Sequence, residues 1–395
     1  MKPKLAVIVS HPIQYFSPVY RIISDVSRID SVVIYFSDAG ATPYFDKTFM
    51  KKVKWDIDLL SGYRHIILEP GKSVDNGFLS TYSGKLCDEL NHENPDVILL
   101  YGYAYFFNWS AICWAKRHHK KIIYFSDSEL LRPRSKWKNI IKQPIVRYFF
   151  SNIDMFLTSG DNNEAYLQAF GVNQNKFHRC PLSVDIKRLC ERNETERNDI
   201  RKNIRQKFGI GKDAFVVLFV GKLTDGKRPL DFIKAVSHIN QQENRVVALF
   251  VGAGTLKDKM QEACKQYSME KSVCLAGFVN QREIIHYYMA SDVLVIPSEI
   301  DAHPLVATEA AALGLPLIVS DQVGCIGKTD VAQPNHNALI YPCGDIDKLS
   351  YAIQQLKDSP EKRRIMCENS KVIAETQDIS VAASAIENAV LSVCR

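Results

Sequence analysis

No stretch of about 18 consecutive apolar residues occurs in these 395 residues, so the sequence predicts no membrane-spanning helix. The ten cysteines (Cys87, Cys113, Cys180, Cys190, Cys264, Cys274, Cys325, Cys343, Cys367 and Cys394) include no C-x-x-C pair and form no Cys/His cluster at zinc spacing. Neither a zinc ribbon nor a dithiol redox motif is predicted, and several of these thiols sit inside apolar runs, where free Cys behaves as a small hydrophobe. Excess charge is scarce too. A formal net charge of +6 permits an anionic ligand or an acidic membrane surface, but it does not make the chain a nucleic-acid-coating protein. Repeats and low-complexity tracts are absent, and 46% hydrophobic with 24% charged residues is ordinary for a globular protein, which excludes disordered and fibrous classes. The opening MKPKLAVIVSHPIQY has an apolar run of only five residues before Ser10 and His11. It reads as a first buried strand, not a signal-peptide core. These absences predict an intracellular, cytoplasmic chain.

What is present is an alternation of short β-branched runs with longer segments of helical period. Strands are predicted at 5–9, 31–35, 97–101, 121–125 and 155–158, then at 215–220, 246–251, 273–276, 293–297 and 316–320. Near-continuous apolar strands separated by helices indicate parallel sheets covered on both faces. Two such series give an α/β chain of two doubly wound, Rossmann-like domains, each with its ligand crevice at the carboxyl ends of its strands. The expected division is an N-terminal domain over 1–182, joined by the C-terminal helix 379–395, and a C-terminal domain over 183–378. The charged stretch RLCERNETERNDIRKNIRQKFGI after the boundary reads as a solvated helix.

The second half carries the clearest chemistry. The run 215–220 leads into GKLTDGKRPLDFIKA, where Gly221 ends the strand and Pro229 opens a helix. Such a junction offers backbone N–H groups and a positive dipole end to an anion, and Lys222 and Lys227 add two point charges suited to a diphosphate. A solvated basic turn is the alternative. The next junction, LFVGAGTLKDKM, has Gly252 and Gly254 but not the third glycine of a dinucleotide fingerprint; either a tight turn or direct ligand contact accounts for them.

In PSEIDAHPLVATEAAALGLPLIVSD, Asp301 falls in a loop and Glu309 on the following Ala-rich helix, which ends near Gly314. Two carboxylates so placed can each hold a pair of sugar hydroxyls, while the amides of Leu305 and Val306 point at a phosphate from the helix start. A helix-start acid also serves the dipole, a simpler account of Asp301.

Taken in order, these segments resemble the family 4 retaining glycosyltransferases of the GT-B fold, the group that includes sucrose and sucrose-phosphate synthases and bacterial polysaccharide transferases. The resemblance rests on the acidic pair in a PS-x-x-E-P-F-G-L-V-x-x-E-A context, with Asp301 first and Glu309 second. It implies that Asp301 contacts hydroxyls of the donor sugar and Glu309 the nucleotide ribose. Lys222 stands where the family usually has Arg and Lys227 on the family Lys, both toward the diphosphate. Gly277–Val279 matches a base-contacting turn, which brings in Gly277 and Val279. The implied GT-B cleft lies between the two domains, and the implied reaction is retaining transfer of a hexose-type unit from a nucleotide-diphosphate sugar to a glycan or polyprenyl-linked acceptor in surface polysaccharide synthesis, with no cofactor and no metal. Departures are the shorter Asp301, His303-Pro304 in place of an aromatic–Gly pair, and SHPIQYFSP in place of a glycine-rich first loop.

In the first half, His11 is either a contact for donor phosphate or acceptor or a structural cap. Ser126, Asp127 and Glu129 are either a polar ligand contact or a helix N-cap. The segment LLRPRSKWKNIIKQPIVRYFF sets Trp137, Ile140, Ile141, Ile145, Tyr148 and Phe149 on a helical face, with Arg132, Arg134, Lys136, Lys138, Lys142 and Arg147 around it. It reads either as a core-packing helix or as one lying on anionic lipid at the inner face of the plasma membrane, and Pro144 argues against a long uninterrupted helix. The D-x-D triplets Asp56-Ile57-Asp58 and Asp345-Ile346-Asp347 are a superficial metal signal, the second reading as a helix cap. A nucleotide-sugar epimerase or hydrolase, or a non-catalytic subunit of a polysaccharide assembly complex, are the rival functions.

Overall fold

The computed structural model describes all residues except 1, 27, 47–50, 75–76, 132–135 and 242–245; of the side chains at 26, 44–46, 51–53, 136–139 and 141 nothing is described either. The chain divides into two compact units. One comprises Met1–Tyr44, Val53–Ser183 and Asp378–Arg395, the other Phe45–Lys52 and Val184–Gln377.

The strands are β1 (Lys4–Val9), β2 (Asp30–Tyr35), the small pair β3 (Tyr44–Asp46) and β4 (Lys51–Val53), β5 (His65–Ile67), β6 (Val97–Tyr101), β7 (Lys121–Ser126), β8 (Met155–Thr158), β9 (Phe177–Arg179), β10 (Phe215–Val220), β11 (Val246–Val251), β12 (Val273–Gly277), β13 (Val293–Ile296), β14 (Leu317–Ser320) and β15 (Ala338–Tyr341). In the first unit they form a parallel sheet in the order β5-β2-β1-β6-β7-β8-β9, and in the second a parallel sheet in the order β12-β11-β10-β13-β14-β15. This is the two-domain, Rossmann-like α/β architecture. The predicted strands are present within one or two residues. β5, β9 and β15 escape sequence reading because each is a short edge strand without the long apolar run that marks a strand buried on both faces.

Burial explains the central runs. Ile8, Val32, Ile98 and Tyr124 in one sheet, and Val217, Ala248, Val293 and Ile318 in the other, have no exposed surface. A fully buried aliphatic side chain contributes about 1.5–3 kcal/mol, so these strands act as the spine of each unit. The thiols of Cys180, Cys264 and Cys274 are raised by burial to about 12, 11 and 11, so they remain protonated packing groups.

Two expectations are corrected. The charged stretch forms helices Ile186–Cys190 and Glu194–Lys207, but it is not simply solvated. Arg205 is buried, donating to the carbonyls of Ala290 and Ala214 at 3.0 Å each and pairing with Asp292 at 2.9 Å, while Arg201 pairs with the same carboxylate at 2.6 Å. Asp292 in turn accepts from the amide of Val216 at 2.7 Å, so this helix is stapled to the amino end of the sheet. Burial lowers the Arg205 pKa, and Asp292 works against that shift. Secondly, helix Lys136–Ser151 runs through Pro144, although the proline leaves one helical carbonyl without its N–H partner.

The last helix, Ile379–Val393, belongs to the first unit. Asp378 caps it, Glu387 pairs with Arg28 at 3.1 Å, and the carbonyl of Ala382 lies 3.8 Å from the Cys180 sulfur.

Candidate functional site

In the second sheet, β10 is flanked by β11 on one side and β13 on the other, so the chain's winding reverses between β10 and β13. The carboxyl ends of strands at such a reversal are splayed by their connections and form the usual ligand crevice of an open α/β sheet. The two loops that leave this point are 221–228 after β10 and 297–304 after β13. They carry Lys222 and Lys227 on one side and Asp301 on the other.

The two loops are tied together. The carbonyl of Gly226 accepts from the amides of Glu299 (2.9 Å) and Ile300 (3.1 Å). The Lys227 ammonium forms an ion pair with Asp301 Oδ2, and the Ser298 hydroxyl lies 3.4 Å from the same oxygen. Lys227 and Asp301 are thus brought together, both largely but not wholly buried. Beneath them, the Ser320 hydroxyl donates to the Ser298 carbonyl, and the Gly324 amide donates to the Asp301 carbonyl at 2.9 Å. A Cβ on Gly324 would stand 1.9 Å from the Ala302 carbonyl oxygen, so only glycine admits this approach.

The glycines after β10 and β11 serve the same close approach. The ladder continues beyond the strand ends through Gly221 N–H to Val251 O (3.0 Å), Leu223 N–H to Ala253 O (2.9 Å) and Gly252 N–H to Gly277 O (2.8 Å). A Cβ on Gly252 would lie 1.8 Å from Gly221 O, and one on Gly254 2.4 Å from Leu223 O. This contact between backbones is sufficient reason for Gly252 and Gly254. In the predicted base-contacting turn, Gly277 has φ +75° and gives its carbonyl to Gly252, while Val279 is partly exposed just beyond. Lys222 is partly exposed on the β10 loop.

Helix Leu305–Ala312 starts behind the acid loop. Its N-cap is Pro304, and no side chain caps the first turn, which leaves the amides of Leu305 and Val306 at the positive end of the helix. Glu309, on the second turn, is 1% exposed, and its Oε2 accepts from the buried Tyr288 hydroxyl at 2.7 Å. One of its oxygens therefore has a protein partner, which restricts what a ribose hydroxyl would find there.

Arg228 escaped the sequence reading. Its backbone is left-handed (φ +49°, ψ +45°), a conformation costing a non-glycine residue roughly 1–2 kcal/mol, and it directly precedes Pro229 at the start of helix Pro229–Asn240. Its guanidinium bridges Asp231 at 2.5 Å and Glu299 at 3.0 Å, locking the basic loop to the acid loop a second time. Burial works to lower its pKa, but Asp231 and Glu299 outweigh that and leave it raised. The available signal was its position before proline, where the right-handed helical conformation is disfavoured.

In the first unit the winding reverses between β1 and β6, and His11 sits in the loop after β1. Its Nδ1 lies 3.0 Å from the Ser10 hydroxyl, and burial lowers its pKa below 6.5. Asp127 is exposed after β7, whereas Ser126 and Glu129 are buried. The N-cap alternative for these residues is overturned: 127–131 is irregular backbone, with Glu129 accepting from the Leu131 amide at 2.5 Å and Asn163 donating to the Ser128 carbonyl at 3.0 Å. Asn163, buried on helix Asp161–Ala169, was not anticipated.

Both D-x-D triplets contain carboxylates engaged with backbone. Asp345 caps helix Ile346–Asp358 by accepting from the Lys348 amide at 2.9 Å. Asp58 closes a turn, accepting from the amides of Leu60 (3.0 Å) and Ser61 (3.2 Å); the Ser61 hydroxyl is the main reason its pKa falls to about 2.

Residues 200–372 match the family model described as Glycosyl transferases group 1. An uncharacterized glycosyltransferase of Methanocaldococcus jannaschii is 30% identical over 170 residues, covering 43% of this chain and 42% of the relative. The UDP-Gal:alpha-D-GlcNAc-diphosphoundecaprenol alpha-1,3-galactosyltransferase of Escherichia coli is 28% identical over 203 residues, covering 50% of this chain and 49% of the relative. These alignments thus span less than half the length of either relative. Among solved structures, Anabaena HepE in complex with UDP superimposes with a TM-score of 0.74 at 15% identity, over 98% of this chain and 100% of that one. The likeness extends the shared fold over both units.

Proposed function

Starting from the match of residues 200–372 to the glycosyl transferases group 1 model, we propose that this protein transfers a sugar from a nucleotide-diphosphate sugar to a glycan or lipid-linked acceptor, with retention at the anomeric carbon. One observation carries the reading: a basic loop, an acid loop and an uncapped helix start converge at the β10–β13 reversal, with Lys227 held against Asp301. A diphosphate with a sugar attached needs that juxtaposition of cation, hydroxyl acceptor and open amides. The UDP in the HepE complex supports a nucleotide donor, and the diphosphoundecaprenol named in the Escherichia coli relative supports a lipid-linked acceptor.

In this reading the C1–O bond to the diphosphate breaks as the acceptor oxygen bonds C1 from the same face. The acceptor proton passes to the departing phosphate oxygen, and no side chain forms a covalent intermediate. Negative charge grows on the leaving diphosphate, and Lys222, Lys227 and the amides of Leu305 and Val306 stabilise it in place of a metal ion. Asp301 keeps Lys227 aimed and accepts a sugar hydroxyl, while Glu309, oriented by Tyr288, faces the ribose. His11 and Asp127 are assigned to the acceptor side.

The test has two stages. A panel of nucleotide sugars is screened by thermal shift, where a donor at one hundred times its Kd adds about 2.7 kcal/mol. The selected donor is then incubated with and without candidate acceptors, and the product's anomeric configuration is read by NMR. An inverted product removes the retaining assignment. Consumption of the donor without acceptor, at an undiminished rate, replaces transfer by hydrolysis or epimerisation.

A further inference from the structure

The first unit exposes apolar side chains in an uneven way. Among its described residues, every exposed large apolar side chain except Val381 lies within 78–82 or 130–148. These two segments flank helix Phe106–Arg117. Phe78 and Tyr82 meet Phe106 with ring centroids 5.7 Å apart in each pair, and Tyr148 stacks on Trp109 at 6.5 Å. Between them opens an apolar slot of about 610 Å³, lined by Phe78, Tyr103, Trp109, Lys142, Ile145 and Val146. Lys142 is its cation, with Nζ 5.2 Å from the centre of the Tyr103 ring.

Helix Lys136–Ser151 is therefore apolar on two sides. Val146, Phe149 and Phe150 face the core, while Ile140, Ile145 and Tyr148 stand in solvent, so neither reading of this helix from sequence was complete. Of the basic residues expected on it, Arg132 and Arg134 lie outside the described residues, as do the side chains of Lys136 and Lys138. The sequence still makes the region net basic: residues 130–153 contain six Lys and Arg and no Asp or Glu, and residues 97–129 set Lys116, Arg117, Lys120 and Lys121 against the exposed Asp127 and the buried Glu129.

We propose that this face of the first unit binds the surface of a bilayer containing anionic lipid, with the apolar rim entering the interfacial layer and a hydrocarbon chain occupying the slot. Three arguments select a bilayer. The rim residues Leu79, Tyr82, Ile140 and Tyr148 are 60–67% exposed outside the slot, and a single bound chain filling the slot leaves them in water, whereas an interface covers slot and rim together. A segment rich in cations and devoid of carboxylates matches phosphate headgroups. A second copy of the chain docked symmetrically on the same face brings together two surfaces that each carry Lys142 and Arg147, with no acid in 130–153 to pair them, a repulsive arrangement. The inference goes beyond the transfer reaction and is independent of it, because binding is measured without any nucleotide.

The whole chain is co-sedimented with vesicles of phosphatidylcholine and with vesicles in which about 30 mol% is phosphatidylglycerol. Partitioning onto the anionic vesicles is expected to be at least about tenfold greater and to weaken as salt is raised. The double variant Ile145→Glu/Tyr148→Glu, altered only at exposed positions, loses that partitioning while its melting temperature moves by about 2 °C or less. In the unaltered protein, brominated acyl chains quench tryptophan emission, and Trp109→Phe removes part of the quenching. Absence of binding, equal binding to neutral vesicles, or an unchanged double variant overturns the proposal. A concentration-dependent dimer in light scattering that disappears in the double variant also overturns it, by assigning the face to a second copy.

Discussion

Lys227 and Asp301, 74 positions apart in sequence, form an ion pair across the two loops that leave the β10–β13 reversal. Each was expected to serve a different part of the donor. Their pairing means that the cation's aim depends on the acid, and that substituting either leaves a largely buried charge without its partner.

Loss of Lys227 and loss of Asp301 should therefore not multiply. Lys227→Ala is expected to lower kcat/KM by about 10²–10³-fold, the cost of removing one preorganised stabilising group. Asp301→Asn should fall in the same range, and the double variant close to the worse single. Initial rates over the four proteins test this; a double defect equal to the product of the singles separates the two roles.

Gly252 and Gly254 are expected to resist substitution for steric reasons unrelated to ligand. With a Cβ 1.8 Å from one carbonyl oxygen and 2.4 Å from another, Gly252→Ala and Gly254→Ala should each destabilise by about 3 kcal/mol or more. Gly277→Ala meets no atom within 4 Å and carries only the left-handed backbone penalty, about 1–2 kcal/mol. Urea midpoints at constant m-value rank the three, and the reverse order contradicts the close-approach account.

Tyr288 and Glu309 give a separable pair of effects. Tyr288→Phe removes a hydrogen bond to a buried carboxylate and should cost about 1.5–3 kcal/mol of stability. Glu309→Gln, nearly the same shape, should raise the donor KM by about tenfold if a hydrogen bond to the ribose is lost. A Glu309→Gln enzyme with altered melting temperature and unaltered KM makes this carboxylate structural.

His11 sets a pH dependence of stability. Burial holds its folded-state pKa below the ordinary 6.5, so the unfolded chain binds more protons between those two values. Its contribution is intact above pH 6.5 and drains as pH falls through the folded-state pKa. His178 and His286 shift in the same direction, so His11→Asn should flatten the loss of melting temperature between about pH 7 and 5 without abolishing it. An unchanged slope assigns the whole effect to the other two.

Turnover should be indifferent to chelators. Asp345 and Asp58 spend their carboxylates on backbone amides, and the positive charge proposed for the leaving group comes from lysines and helix-start amides. Activity lost in EDTA and restored by manganese reverses that assignment.

The sequence by itself determined the architecture and named most of the charged residues of the candidate site, though not Arg228. Apolar runs of five or six residues such as Phe215–Val220 are legible because a strand covered on both faces must be apolar throughout; Glu309 stood out as a charge on an otherwise Ala-rich helix, and Lys227 and Asp301 by their place in loops that follow strands. Tertiary structure decided the pairings. That Lys227 meets Asp301, that Tyr288 occupies Glu309, that Gly252 is fixed by Gly221 and that Arg228 bridges Asp231 and Glu299 all depend on which strands lie side by side. It also decided that one helix turns Phe149 inward and Tyr148 outward, since apolar period identifies a buried face but does not say how many faces the fold will cover. Local pattern records what each residue prefers, whereas contacts between residues dozens of positions apart arise only when the parallel winding brings their loops to one edge.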